Sequence, residues 1–125
     1  LETQKAYGGA NERLNAHQSD IREAASAAHV YGKKVVAAEA WTGGGYEAPA
    51  DMKFIGDYWM TQGINQIVFH TSAHQPLDTK PGNVMVGTHF HRNITWAEQA
   101  KPFVDYISRN QYLLQHQSID GQWLS

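Results

Sequence analysis

Glu39 stands near the end of a short apolar run, Lys34-Val35-Val36-Ala37-Ala38-Glu39-Ala40-Trp41-Thr42. A carboxylate at the end of a buried strand is costly unless it has a partner or a task. In (β/α) proteins the chemistry sits where strands end. Glu39 is therefore the first candidate for a catalytic residue. The alternative is an ion pair with a nearby Arg or Lys that only holds the strand end. A second apolar run, Ile64-Asn65-Gln66-Ile67-Val68-Phe69-His70, also closes on a functional residue type. Parallel neighbouring strands lie about 4.8 Å apart, so Glu39 and His70 on one rim could reach one ligand.

Histidines supply a second constellation. His70 and His74 flank Thr71-Ser72-Ala73, and His89 and His91 flank Phe90. Such spacings can hold a divalent metal, with Asp78 as a further ligand type. No HExxH or other three-ligand signature is present, and loop histidines more often bond substrate or backbone. Gly43-Gly44-Gly45 lacks the spacing of a dinucleotide fingerprint. Ser72 has no nucleophile elbow around it. Asp20, His17 and His29 fall on a helix and read as solvated or capping. Asn93-Ile94-Thr95 fits the glycosylation pattern, which is common by chance.

The elements that must position these groups follow from periodicity. Glu12 to Tyr31 reads as a helix, with Ile21, Ala24, Ala25 and Ala28 as a small-residue stripe and Gly32 as its stop. Strands are expected near 34–39 and 64–70. Between them Pro49 opens a second helix whose buried stripe is Met52, Ile55 and Trp59, stopped by Gly63. A long loop spans Thr71 to Ile94, and a connection of that length is uncommon unless it does something. Thr95-Trp96-Ala97-Glu98 reads as a capping box for the last helix. Pro102 then requires either a kink or a short turn followed by a new helix. Phe103, Val104, Ile107 and Leu114 form its apolar face.

The order helix, strand, helix, strand, helix implies α/β architecture with parallel strands. Two parallel strands cannot cover their own faces and edges. The 125 residues begin with Leu1 and not Met. The chain thus reads as a single partial domain, residues 1–125, a fragment of a (β/α)₈ TIM-type barrel, which needs about 250 residues. The rest of the parent is expected to pack on the exposed sheet edges.

Composition narrows the partners. A net charge of −2 without long runs of one sign gives no reason to expect nucleic acid or membrane. There is no cysteine, so thiolate sites and disulfides are excluded. Four Trp, six Tyr and seven His, several in presumed loops, suit a carbohydrate site, where rings cover apolar sugar faces.

Taken in order, Ala38-Glu39-Ala40-Trp41-Thr42, Asp51-Met52-Lys53, Gly63 to His70, His74-Gln75-Pro76, Pro81-Gly82, Gly87-Thr88-His89-Phe90-His91-Arg92-Asn93 and Thr95-Trp96 resemble glycoside hydrolase family 106. The resemblance runs from about Asp20 to Gln115. It implies a bacterial α-L-rhamnosidase, periplasmic or secreted, whose catalytic barrel includes this chain toward its C-terminal part. It implies an inverting hydrolase with two carboxylates and a Ca²⁺ ion near the substrate, its ligands outside this chain. On the matching positions, Glu39 is one catalytic carboxylate, and Trp41, His70, His74, His89 and Arg92 are substrate-binding. The second carboxylate would lie outside this chain, leaving the fragment inactive alone. Trp41 as an apolar wall favours Glu39 as acid, and Arg92 or a charged His favours it as base. Two other readings stand beside this one. One is a metal-dependent hydrolase or isomerase using His70, His74, His89 and His91. The other is a non-catalytic carbohydrate-binding module with Trp41, Tyr46 and Trp96 as platforms.

Overall fold

A computed structural model describes residues 11–72 and 87–116, with side chains from Ser19 onward. Its elements are α1 (Asn11–Val30), β1 (Ala37–Ala40), α2 (Pro49–Thr61), β2 (Gln66–Phe69), a 3₁₀ turn (Ala97–Gln99) and α3 (Lys101–His116). The strands pair in parallel, Ala37 opposite Gln66 and Ala40 opposite Phe69. This is the predicted alternation of parallel strands and helices.

Both strands are shorter than the apolar runs suggested. The reason at the first is Asn65, which takes over the ladder with its side chain. Its Oδ1 accepts from Val36 N–H at 2.7 Å, and its Nδ2 donates to Lys34 O at 2.8 Å. Residues 34–36 are thus held beside the sheet without forming strand.

Each helix end has a local cause. Gly32 closes α1, with Lys33 N–H donating back to Ala28 O at 2.7 Å. The same backward bond, Ile64 N–H to Trp59 O at 3.2 Å, closes α2 near Gly63. Pro49 occupies the first turn of α2, where its missing N–H costs nothing. The question raised by Pro102 resolves as a turn and then a new helix, because Pro102 is the second residue of α3. The capping box does not form. Trp96 precedes the turn, and no side chain caps it.

Strand alternation sorts the sheet into two faces. Ala38 and Ala40 of β1 and Ile67 and Phe69 of β2 share the face that packs with Met52, Ile55, Ile107 and Phe103 of the helices. Ala25 and Ala28 bring α1 onto the same core, whereas Ala24 of the expected stripe is exposed. A methyl at Gly63 would lie 2.6 Å from the Ala25 Cβ, so the helix and the α2–β2 turn meet through small residues. In α2, Met60 is buried where Trp59 was expected and Trp59 is only partly covered. In α3, Val104 is exposed.

The other face carries Ala37, Glu39, Gln66 and Val68, all exposed. At the far edge of β2, Ile67 N–H points away from β1 and is taken by Gln111 Oε1 at 2.5 Å. Gln115 Nε2 adds a bond to Asn65 O at 2.8 Å. Side chains of α3 therefore stand where a neighbouring strand would pair.

Candidate active site

The carboxyl ends of β1 and β2 open onto two irregular segments, residues 41–48 and 87–96. Backbone bonds lace them together. Thr88 N–H donates to Trp41 O at 2.9 Å, and His89 N–H to Gly45 O at 2.8 Å. Thr71 N–H donates to Thr88 O at 2.7 Å, and Phe90 N–H to Thr71 O at 2.9 Å. Residues 87–90 thus run as a tie between the loop after β1 and the residues after β2. This lacing draws Glu39, His70, His89 and His91 toward one end of the sheet.

Glu39 is the third residue of β1, directly opposite Val68 and on the face without helices. Among the described residues it has neither an ion-pair nor a hydrogen-bond partner. The ion-pair explanation for its position therefore has no support there. A cleft of about 230 Å³ runs beside it, lined by Asp20, Ile21, Trp41, Thr42 and Trp59 among others.

His70 follows β2 at once. Its Nδ1 is buried with no hydrogen-bond partner among the described residues. The ring lies against Gly87, where φ is +126° and an added Cβ would fall on Nδ1. Only glycine fits that approach.

His89 is only 8% exposed and packs under the Tyr46 ring, with centroids 4.5 Å apart. His91 follows at 5.7 Å from His89, ring to ring. Burial, then the charges of His89 and Arg92, push the His91 imidazole below its usual value. Arg92 is exposed on the same segment. His74 and Asp78 lie outside the described residues. Among the described residues no three His, Asp or Glu side chains gather closely enough for a metal ion.

Trp41 is almost wholly enclosed. It is 5% exposed, and its indole N–H donates to Met52 O at 3.2 Å. Its ring packs on Phe69, Phe90 and Phe103 at 5.2, 5.8 and 5.9 Å. Its ring belongs to the helix-side core, and Trp41 also borders the cleft beside Glu39. Trp96 is likewise tied in, edge-on to Phe90 and Phe103, with its N–H on Glu47 O at 3.1 Å. Of the three aromatics Trp41, Tyr46 and Trp96, Tyr46 stays in the open, 79% exposed.

Glu47 is the residue that sequence reading missed. Both of its carboxylate oxygens accept from Gly45 N–H, at 2.9 and 2.7 Å, and Oε2 also accepts from Thr88 Oγ1 at 2.7 Å. Partial burial pushes the carboxyl up. The bonds from Thr88 and Gly45, its own backbone amide and the charge of His89 outweigh burial and hold it below the usual carboxylate range. The only hint in the sequence was a Glu just past three glycines.

A 94-residue stretch is 48% identical to a Formosa agariphila protein provisionally named a beta-glucuronidase, covering 72% of this chain and 8% of that protein. The fold superposes on the rhamnosidase from Novosphingobium sp. PP1Y with a TM-score of 0.68 and 41% identity, over 78% of this chain and 10% of that one. The chain thus spans a tenth or less of the relatives it matches. The family model described as alpha-L-rhamnosidase matches residues 3–121. With nearly its whole length inside that match, the chain belongs to the alpha-L-rhamnosidase family, glycoside hydrolase family 106.

Proposed function

We propose that this chain is part of the catalytic (β/α)₈ barrel of an inverting α-L-rhamnosidase, with Glu39 as one of its two catalytic carboxylates. The observation that carries the reading is the place of Glu39: on the helix-free face of β1, near its carboxyl end, without a partner among the described residues. The substrate is a rhamnose-containing glycan or glycoside. His70, His89 and Arg92 contribute from the neighbouring segments. The remaining strands come from the rest of the parent chain and pack on the two sheet edges. The second carboxylate comes from there too, standing about 6.5–9.5 Å across the glycosidic bond.

In this mechanism one carboxylic acid protonates the leaving oxygen while the other carboxylate activates a water on the opposite face of the sugar. Bound Ca²⁺ would add positive charge beside the sugar. The described residues hold no ligand trio for it, so its ligands are assigned to the rest of the parent and no step depends on it here. The alternative of a metal hydrolase built on His70, His74, His89 and His91 turns on His74, which lies outside the described residues.

Glu39→Gln in the intact parent tests the assignment. Size and most hydrogen bonds are kept, but proton transfer is lost. The expected result is a fall in kcat of about 10²–10⁴-fold on a natural rhamnoside, with KM moved much less. An aryl rhamnoside whose leaving group departs without a proton is spared if Glu39 is the acid and not if it is the base. A folded variant with normal turnover on both substrates would make Glu39 structural.

A further inference from the structure

We propose that Glu47 is a positioning residue for the sugar-binding rim: its carboxylate ties the glycine-rich loop after β1 to Thr88, and so seats the exposed Tyr46 ring on His89. The inference rests on the rhamnosidase reading above.

Three observations meet at this carboxylate. First, its bonds join segments far apart in the chain, Gly45 on one side and Thr88 on the other. Thr88 is 1% exposed, so its hydroxyl is a fixed point. Second, the loop has no room to slip past the clasp. A methyl on Gly44 would collide with both Thr88 Oγ1 and the Glu47 carboxylate. Third, the clasp brackets one aromatic pair. Tyr46 lies between the clasped Gly45 and Glu47, and His89 follows Thr88. His89 N–H donates to Gly45 O at 2.8 Å, and the two rings meet at a tilt of 39° with centroids 4.5 Å apart.

A glycine-rich loop without the clasp would sample many conformations. Tyr46 would then have to be ordered each time a sugar bound, and that ordering weakens binding. With the clasp, the ring is already in place beside the rim that carries Glu39 and His70. Glu47 is not itself a group that attacks or protonates the sugar. Both its oxygens are already engaged by the chain's own donors.

The test uses the intact parent enzyme and four variants: Glu47→Gln, Thr88→Val, Thr88→Ser and the Glu47→Gln/Thr88→Val double. Thr88→Val keeps the shape of the side chain and removes the hydroxyl. Thr88→Ser restores a hydroxyl. The expected result is a rise in KM for a rhamnoside of about 5- to 20-fold in Glu47→Gln and Thr88→Val, with kcat changed less than about 3-fold. Thr88→Ser should return close to wild type. The double variant should be no worse than the worse single, because both break one clasp. Hydrogen exchange at the Gly45 and His89 amides should quicken in the same variants that raise KM.

Unmoved KM in Glu47→Gln, unmoved amide exchange, or single effects that multiply in the double would each overturn the inference. If Glu47→Gln does not fold, Thr88→Val against Thr88→Ser decides by the same two readouts. A wild-type parent that cleaves no rhamnoside sinks the rhamnosidase reading and this inference with it. An active parent with an indifferent Glu47 sinks the inference alone.

Discussion

The φ of +62° at Trp41 ends β1 and turns the chain out of the strand. By alternation, residue 41 would share the face of Glu39 and point into the open side of the sheet. A left-handed residue breaks the alternation, at a cost that its surroundings must offset. Here a buried indole, packed on three aromatic rings, supplies the compensation. Trp41→Ala should cost the parent about 3–5 kcal/mol in denaturant unfolding of its catalytic domain. Trp41→Phe keeps a ring but loses the N–H bond to Met52 O, and should cost clearly less. Equal and small losses for both would show that the ring is not a core element. At Glu47 the prediction concerns pH. Its folded carboxyl lies below the usual range, so the folded state holds the proton more weakly than the unfolded one. The stability this confers is present above the unfolded value, about 4.3, and is lost as pH falls through the lower folded one. Wild type should therefore lose more stability than Glu47→Gln between about pH 5 and pH 3, read by denaturant midpoints. Parallel curves would remove the charge-dependent role of the clasp. Neither residue was legible beforehand. The direction of Trp41 depends on one dihedral, and the bonds of Glu47 on Thr88, 41 positions away in the chain.

Elements were easier to read than side-chain roles, for a physical reason. Helix ends are set by local chemistry, such as Gly32 and Pro49, and the buried strand runs by local composition. The parallel pairing followed from the alternation of types. What the sequence did not show is where pairing begins, because that depends on a side chain borrowed from another element. Asn65 fills the ladder position beside Val36, and so β1 starts at Ala37 instead of Lys34. The capping box at Thr95 failed similarly. Trp96 is drawn to Glu47 O and to the rings of Phe90 and Phe103, and a tertiary contact overrode the local motif. Asn65→Ala should leave the Val36 N–H without its partner at a buried residue. The expected loss is about 1–3 kcal/mol of stability, with faster exchange of the Val36 amide. Asn65→Asp keeps the acceptor and loses the donor to Lys34 O, so it should fall between. An unchanged Val36 amide in Asn65→Ala would mean that the side chain is not part of the ladder.

On the scale of the whole molecule, the helices cover one face of the sheet and leave the other bare. Val35 and Val68 are 47% and 46% exposed, and Val68 stands opposite Glu39. Half-exposed valines on a bare parallel sheet are out of place unless other elements cover them. At the far edge of β2 the outward Ile67 N–H is held by Gln111 and not by a strand, so a strand pairing there would have to displace that side chain. The chain spans about a tenth or less of the relatives it matches, and on the barrel reading proposed above the rest of a parent chain covers the bare face. If the bare face is the interior of a closed barrel, then Val68 is fully buried in the parent and packs among inward side chains. Val68→Ala would then remove buried methyl groups and leave a cavity, for about 1–3 kcal/mol. Were the face open to solvent in the parent, the same change would fall within about 0.5 kcal/mol, as exposed substitutions do. Val104, exposed on α3, supplies the control for a helix-surface position. The measurement is the denaturant midpoint of the parent's catalytic domain for Val68→Ala and Val104→Ala, with Glu39 intact. A large loss at Val68 is expected from a barrel whose interior begins at the face that carries Glu39. A loss at Val68 no greater than a few tenths of a kcal/mol would open that face to water and take the barrel reading, and the shielded catalytic site built on it, with it.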